Sequence, residues 1–483
     1  MLDQVFYFLR RYVIPRPVFE FFQPAYHWAL ALLGALAYDF PSRGLIVIGV
    51  TGTNGKSTTV EMLDALFTAA GFKTASLSSI RFKIGEKVID NRFKMTMPGR
   101  FFVQKFLHDA KRAGATHVIL EITSEGIKQS RHKYINFAAA VLTNLTPEHI
   151  EAHGGFENYK KAKGELFKAL DGRGISVVNL ADANVEYFLG FPAGEYIGYA
   201  LEASDKRQAT RDKTQGTSDK GQETGNKKQE ARSGKQELRI IAPVNYEVNE
   251  LGVRLHFSDD WEVFAPLKGK FNAENMLAAI AVGEVFGISH EAMRKTFANF
   301  RGVPGRMEEI QKEPFRAIVD YAFTPNALRQ VYATLSGRDK GQEVRSKDSK
   351  LICVLGAAGG GRDKWKRLEL GKIAGEYCSQ VIITNEDPYD ENPRSIMEDV
   401  RRGTEMRDAT YEIIEDRRLA IRNAIEAAKP GDTVVITGKG SESSIAAAGG
   451  RRIPWDDRAV VREELARRGL VTSDKRQVAG DTK

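Results

Sequence analysis

The run Gly49-Val-Thr-Gly-Thr-Asn-Gly-Lys-Ser-Thr-Thr59 holds the residue types and spacing that most directly imply chemistry. A glycine-rich turn between a β-branched apolar run and a helical stretch presents backbone N–H groups and a helix N-terminus to an anion. Gly52, Thr53, Asn54, Gly55, Lys56, Ser57 and Thr58 therefore form a candidate phosphate loop. Lys56 is placed to reach the terminal phosphates of a nucleotide, and Ser57 to offer its hydroxyl to Mg²⁺. A strict Walker A has glycine where this chain has Val50, so the match is to a variant. An accidental glycine-rich turn is the weaker reading, because strand and helix flank the loop on the sides a phosphate site requires.

Further along, Glu121 lies in Leu120-Glu-Ile-Thr-Ser-Glu125 at the end of a predicted strand, where α/β sheets place ligand-binding groups. A carboxylate there can hold Mg²⁺, although a lone glutamate is more often an ordinary one. Thr143-Asn-Leu-Thr-Pro-Glu-His-Ile-Glu-Ala-His-Gly154 also begins at a strand end and contains His149 and His153. It is followed by Tyr159-Lys-Lys-Ala-Lys-Gly-Glu-Leu-Phe167.

These residues need elements to hold them. Runs at 45–50, 117–122, 138–142 and 175–179 read as strands separated by longer amphipathic segments, the signature of βαβ units and a mainly parallel sheet. A second such pattern follows Gly302, with strands expected at 315–320, 351–355, 381–384 and 433–437. The expected fold is α/β: a P-loop central domain over 44–301, a C-terminal Rossmann-like α/β domain over 302–471, and an apolar helical segment over 1–43. Residues 203–236 are almost devoid of large apolar side chains and read as a disordered insertion, as do 336–350 and the tail 472–483. Ser204-Asp-Lys-Arg-Gln208 returns at 473–477, which marks these stretches as related low-complexity segments.

The chain has 483 residues, 42% of them hydrophobic, and a formal net charge of +8, values that fit a soluble multidomain protein drawn to an anionic ligand. No basic stripe interleaved with aromatics occurs, which argues against nucleic acid. The two cysteines, Cys353 and Cys378, offer neither metal-ligand spacing nor a disulfide framework, and point to a reducing cytoplasm. In residues 1–40 the apolar run 29–38 is half of the roughly 20 residues that cross a bilayer. Packing against the next domain is the favoured reading of this segment; a basic, aromatic helix lying on a membrane surface is the other.

Taken in order, Gly-Thr-Asn-Gly-Lys-Ser-Thr, Leu-Glu-Ile-Thr-Ser, Thr-Asn-Leu-x-x-Glu-His and Tyr-x-x-Ala-Lys-x-x-Leu-Phe resemble the Mur ligases, the ATP-dependent enzymes that build the peptide stem of peptidoglycan. The resemblance continues through Gly269-Lys-Phe-Asn-Ala-Glu-Asn275, Gly302-Val-Pro-Gly-Arg-Met-Glu308, Val319-Asp-Tyr-Ala-Phe-Thr-Pro325, Gly359-Gly-Gly-Arg-Asp-Lys-Trp-Lys-Arg367 and Gly438-Lys-Gly-Ser-Glu442. It is closest to the UDP-N-acetylmuramoyl-tripeptide synthetases. The resemblance implies ATP and Mg²⁺ as cofactors, and an acyl phosphate on a UDP-muramoyl-peptide that an amino acid then attacks. It assigns Lys56, Lys163 and His149 to catalysis, Ser57 and Glu121 to one Mg²⁺, His149 to a second, and a carbamylated Lys163 to the metal site. Asn275, Arg306 and Asp320 are implied at adenine, γ-phosphate and ribose. Thr96, Pro98, Ser124 and Arg131 are implied at the muramoyl-peptide, and Tyr389, Arg362, Lys439 and Glu442 are further substrate positions. Closure of the two major domains is an expected catalytic step, and a monomer in the cytoplasm the expected form.

Five departures accompany the match. The segment before the phosphate loop is too short and apolar for the family's UDP-binding domain. In the best alignment, through Thr384-Asn-Glu-Asp-Pro-Tyr389, Tyr389 stands where diaminopimelate-adding members have arginine, and a phenol cannot replace a guanidinium fork; a shifted alignment would use Asn392-Pro393-Arg394, with a poorer spacing from Thr384. Phe323 and Ser441 replace histidines of the family words, and Glu125 stands where histidine is common. The ATP side is intact and the acceptor side altered. The alternatives are another amide ligase of the superfamily, resembling folylpolyglutamate or cyanophycin synthetases, and a membrane-apposed ATP-binding partner of a cell-wall enzyme.

Overall fold

The computed structural model describes residues 16–91, 93, 95–202, 237–258, 260–337, 349–407 and 409–470, with backbone alone for 16–21. The chain forms two compact units. The first contains Met1–Leu145, Lys160–Ala242 and Leu277–Ala292; the second contains Thr146–Tyr159, Pro243–Met276 and Met293–Lys483. The low-complexity stretches 203–236 and 472–483, and all of 336–350 except its ends, lie outside the described residues.

The first unit is built on a nine-stranded sheet. Its strands are β1 (Ile46–Thr51), β2 (Thr74–Leu77), β3 (Arg81–Ile84), β4 (Lys87–Asp90), β5 (His117–Glu121), β6 (Phe137–Leu142), β7 (Ile175–Asn179), β8 (Glu195–Tyr199) and β9 (Leu238–Ile241). They stand in the order β4-β3-β2-β5-β1-β6-β7-β8-β9. Neighbours from β2 to β9 pair in parallel, while β3 and β4 extend one edge antiparallel. Both faces of the central strands are covered, which is why β1 reads as an unbroken apolar run, with Val47, Ile48 and Val50 fully buried. The helices used below are α1 (Arg16–Ala37), α2 (Lys56–Ala69), α3 (Arg100–Arg112) and α4 (Phe156–Lys168).

Helix α1 packs against α3, burying His27, Ala31 and Ala35, and Gly34 lets the α3 backbone at Phe101 come close. Its described residues thus take the packing arrangement. The same helix leaves Tyr26, Trp28, Leu33 and Leu36 exposed. No described helix is long and apolar enough to cross a membrane.

In the second unit β10 (Asn245–Val248), β11 (Val253–Ser258) and β12 (Trp261–Ala265) form an antiparallel meander. A six-stranded sheet follows, of β13 (Glu308–Gln311), β14 (Arg316–Val319), β15 (Leu351–Leu355), β16 (Gln380–Thr384), β17 (Thr410–Ile414) and β18 (Thr433–Ile436). Its order is β13-β14-β18-β15-β16-β17, parallel except for β13. Helices α5 (Lys270–Val285), α6 (Pro325–Ser336), α7 (Trp365–Tyr377), α8 (Pro393–Thr404), α9 (Arg417–Ala427) and α10 (Asp457–Arg467) complete the set used here. One core of this unit joins α6, α7 and α8 to the sheet through Leu328, Tyr332, Ile373 and Val400. The other joins α9 and α10 through Ile421, Ile425, Val461 and Leu465, so the sheet is covered on both faces.

Strands expected at 175–179 and 351–355 coincide with β7 and β15, and the others differ by one residue at one or both ends. The meander was not among the expected strands. There Val253 and Leu255 are buried while Arg254 and His256 are half-buried, the alternation of a one-sided antiparallel ribbon rather than of a βαβ unit. The cysteines also correct the sequence reading: Cys353 and Cys378 form a disulfide, with Cα atoms 6.1 Å apart. Cys353 lies within β15, and the crossover through α7 returns the chain to that strand, so Cys378 arrives beside it despite a separation of 25 residues. The expectation of a reducing compartment therefore loses its support from the cysteines.

Helices α7 and α8 cross through two glycines. A Cβ on Gly371 would lie 1.9 Å from Val400 O, and one on Gly403 2.0 Å from Leu368 O. On a free helix surface glycine to alanine stabilises by about 1 kcal/mol; here overpacking reverses the sign. Gly403→Ala is expected to destabilise the second unit by about 1–3 kcal/mol in denaturant unfolding. In the first unit His132 is buried and neither ring nitrogen has a hydrogen-bond partner. Burial, with Lys133 adding and Glu165 opposing, pushes its pKa from 6.5 down to about 4. The unfolded chain takes this proton first, so the stability is present above about pH 6.5 and is lost as pH falls toward 4. His132→Phe is expected to flatten the fall in melting temperature between about pH 7 and about pH 5.

Candidate active site

At the C-terminal end of β1 the chain turns sharply at Gly52, whose φ is 149°. A Cβ there would lie 1.9 Å from Thr143 Oγ1. Only glycine fits, on both conformational and steric grounds. The loop is then fastened from behind. Thr143 Oγ1 donates to Asn54 O at 2.6 Å, Asn144 Nδ2 donates to the same oxygen at 3.2 Å, and Asn144 Oδ1 accepts from Asn54 N–H at 2.9 Å. Thr53 N–H donates to Asn144 O at 2.8 Å. Lys56 Nζ donates to Thr53 O at 2.8 Å, and Gly55 caps α2 with no side-chain bond. The first turn of α2, beginning at Lys56, thus keeps its N-terminal character for an anion.

Lys163 on α4 is 1% exposed, and its Nζ donates to Gly52 O at 2.6 Å. Glu121 ends β5 and is buried; its Oε2 accepts from Ser79 N–H at 2.8 Å, while Ser79 Oγ lies 2.8 Å from Ser57 Oγ. Ser79 thereby joins Ser57 to Glu121, two of the predicted metal ligands. Among the described residues no three His, Cys, Asp or Glu gather as a metal site. The Ser57 hydroxyl and the Glu121 carboxylate are the oxygen donors of a hard cation such as Mg²⁺, which takes one or two protein oxygens and fills its shell with water and phosphate. Ser57 and Glu121 fit it; Lys163 as an ammonium does not.

Thr96, Pro98, Ser124 and Arg131 come together in the first unit. Gly126 leaves room for Met97, and Arg131 Nη1 donates to Met97 O. Ser124 is buried directly after Thr123, whose side chain caps the short helix.

In the second unit His149 has a positive φ of 54° and its Nε2 lies 3.8 Å from Glu148 Oε1. Glu148 is buried beside Lys366, 3.3 Å away; burial raises its pKa against that cation. Asp363 accepts from the N–H groups of Ile150 and Glu151 and so fastens this segment within the unit. Arg306 stacks on Tyr321, 3.9 Å from the ring centroid, and Asp320 accepts from Met307 and Ala322 N–H at 2.7 and 2.6 Å. Tyr321 OH donates to Glu442 Oε1 at 2.8 Å. Lys439, fully buried, bonds to Glu442 and lies 2.9 Å from Asp387 Oδ1. Burial works against its charge, but Glu442, Asp387 and Glu386 outweigh it and hold the ammonium above its ordinary pKa. Gly305, with φ 67°, allows this packing, since a Cβ would lie 2.2 Å from Ser441 N. Tyr389 OH is 3.4 Å from Arg362 Nη2, and Tyr389 N–H donates to Ala446 O. Arg306, Asp320, Lys439, Glu442, Arg362 and Tyr389 thus belong to one neighbourhood. Asn275 on α5 is buried and stands with Asn272, 3.4 Å from it.

Ser79, Asp387 and Tyr321 were absent from the sequence-derived site. Asp387 and Tyr321 lay inside quoted words, and Ser79 follows the carboxyl end of β2, the position at which α/β sheets gather ligand groups.

Residues 50–283 match the model of the Mur ligase middle domain, and residues 305–440 that of the Mur ligase glutamate ligase domain. The UDP-N-acetylmuramoyl-L-alanyl-D-glutamate–2,6-diaminopimelate ligase of Syntrophomonas wolfei is 32% identical over 442 residues, covering 90% of this chain and 81% of the relative. The UDP-N-acetylmuramyl-tripeptide synthetase of a Roseiflexus species is 33% identical, covering 91% and 82%. A solved UDP-N-acetylmuramoyl-L-alanyl-D-glutamate–2,6-diaminopimelate ligase superposes with a TM-score of 0.54 at 28% identity, over 88% of this chain and 79% of that one. With a phosphate loop fastened by the Thr143-Asn144 word and likeness along nine-tenths of its length, the chain belongs to the Mur ligase family.

Proposed function

We propose that the protein is an ATP-dependent amide ligase that adds an amino acid to a UDP-N-acetylmuramoyl-peptide. The observation that carries the reading is the convergence of Lys163, Thr143 and Asn144 on the carbonyls of a phosphate loop, with Ser57 and Glu121 joined beside it. The names of the relatives supply the acceptor. In this reading the central domain spans 44–301, the C-terminal domain 302–471, and the protein acts as a monomer in the cytoplasm, where ATP is supplied.

The loop N–H groups and Lys56 bind the phosphates of ATP. Ser57 and Glu121 would hold one Mg²⁺ and His149 a second, with a carbamylated Lys163 serving the metal site; bound there, such ions would supply positive charge against the transferring phosphoryl group. Carbamylation turns the Lys163 cation into an anion, the change a metal ligand needs. Asn275, Arg306 and Asp320 serve adenine, γ-phosphate and ribose. Thr96, Pro98, Ser124 and Arg131 hold the acceptor so that its carboxylate attacks the γ-phosphorus, releasing ADP and leaving an acyl phosphate. The incoming amine, oriented by Arg362, Tyr389, Lys439 and Glu442, attacks the acyl carbon; phosphate leaves and the amine loses a proton. Fixing both reactants supplies most of the acceleration.

Phosphate release from Mg-ATP with UDP-N-acetylmuramoyl-L-Ala-D-Glu, scanned over diaminopimelate, lysine and other amino acids, is expected to respond to one of them with a tripeptide product of matching mass. Binding of ATP without stimulation by any amino acid overturns the acceptor. Lys163→Arg keeps the positive charge but cannot form the carbamate, and is expected to lower turnover on the order of 10²-fold or more. Labelled bicarbonate is expected to give a carbamate signal by NMR in the parent protein and none in Lys163→Arg; equal signals sink the role of Lys163.

A further inference from the structure

Helix α1 is apolar on two opposite sides. One side, with His27, Ala31 and Ala35, is buried against α3. On the other, Tyr26, Ala29, Leu33 and Leu36 recur at the helical spacing of three or four residues and form one stripe. At about 100° per residue all four fall within about 40° of the direction opposite Ala31. Tyr26 is 45% exposed, Leu33 53% and Leu36 55%, and Ala25, Ala29 and Ala37 are exposed beside them. No Asp, Glu, Lys or Arg occurs between Glu20 and Asp39. A helix that is apolar all round is normally one with a cover on every side.

Two features say what that cover is. The first is the make-up of the stripe and its borders. A seam between two protein helices takes its register and its partner from charged residues along the flanks. Here the flanks are Ala25, Ala37 and the half-buried Leu32. Tyr26 and Trp28, the latter half-exposed at the margin with its ring 6.3 Å from that of Tyr134, are the side chains that settle at the boundary between hydrocarbon and water.

The second is charge. Arg10, Arg11 and Arg16 precede the stripe in the sequence. At its far end Arg43 is exposed with its guanidinium 4.4 Å from the centre of the Phe40 ring, and Lys111 Nζ donates to Arg43 O at 2.9 Å. Arg112, in the last turn of α3, is exposed as well. Against these cations stand Glu20 and Asp39, so the stripe is bordered by a net positive charge.

We propose that the exposed stripe of α1 is a docking surface for an anionic lipid bilayer, on which the helix lies in the plane of the surface with Arg43 and Lys111 at the headgroups. Helix α1 is already formed and held on α3, so docking carries no cost of ordering it. The proposal does not depend on the ligase reading.

The test is flotation of the full-length protein with vesicles made of equal parts phosphatidylglycerol and phosphatidylcholine, and separately with phosphatidylcholine vesicles. Binding to the mixed vesicles is expected, weaker in high salt and weaker on phosphatidylcholine alone. Leu33→Glu with Leu36→Glu is expected to reduce it about tenfold or more. Arg43→Gln with Lys111→Gln is expected to weaken binding to the mixed vesicles and leave the phosphatidylcholine result unchanged. Because Leu33 and Leu36 are exposed, their double variant is expected to keep the parent's melting temperature and its affinity for a non-hydrolysable ATP analogue. Failure of the parent to float, equal flotation by the leucine variant, or equal binding to both vesicle types overturns the proposal. A lower melting temperature of the leucine variant without lipid also overturns it, since the stripe then belongs to the protein's own core. So does a lipid-free dimer in analytical ultracentrifugation that the leucine variant abolishes, since a second copy is then the cover.

Discussion

A phosphate loop works only if its backbone N–H groups face the ligand, and that forces each inward carbonyl to find a partner elsewhere. A buried carbonyl left without one costs about 1–3 kcal/mol. In this chain Lys163 takes Gly52 O, Lys56 takes Thr53 O, and Thr143 with Asn144 takes Asn54 O. The bracing residues are themselves braced: Asn179 Nδ2 donates to Thr143 O, and Tyr199 OH donates to Leu142 O. The ends of β6, β7 and β8 are thereby tied to one short loop. The order of strands around β1 follows from what the loop needs behind it.

The second unit solves a related problem with charge. Lys439 is buried, yet it stays an ammonium because Asp387 and Glu442 are held beside it. Asp387 in turn accepts from Ala446 N–H, and Glu442 accepts from Tyr321, whose ring carries Arg306. The network links the ends of three strands, β14, β16 and β18, so its members cannot move independently. Breaking a buried pair of this kind strands a charge and costs more than the pair contributes.

The phosphate loop, Glu121 and the βαβ strands were legible in the sequence because each depends on local order: a glycine turn after an apolar run, or a carboxylate at a strand end; Lys163, inside a helix, was legible only through the resemblance of its word. The Arg306–Tyr321–Glu442–Lys439 network was legible only as separate words, since its members are up to 136 positions apart. Ser79 carries no local signal beyond its place after β2. The disulfide escaped notice because two cysteines on one crossover have no spacing rule, and the meander because three short alternating strands look like loop between stronger elements.

The crossing of α7 and α8 has an evolutionary consequence. Gly371 makes room for the backbone around Val400, and Gly403 makes room for the backbone around Leu368, so the two absences are reciprocal. The contact is between main chains and asks nothing of neighbouring side chains. Helix α8 follows directly on the loop that carries Asp387 and Tyr389. Asp387 in that loop is fixed by Lys439 and by Ala446 N–H, so drift is left to the loop's more exposed positions, while the frame that presents them is held by glycines that no other residue can replace.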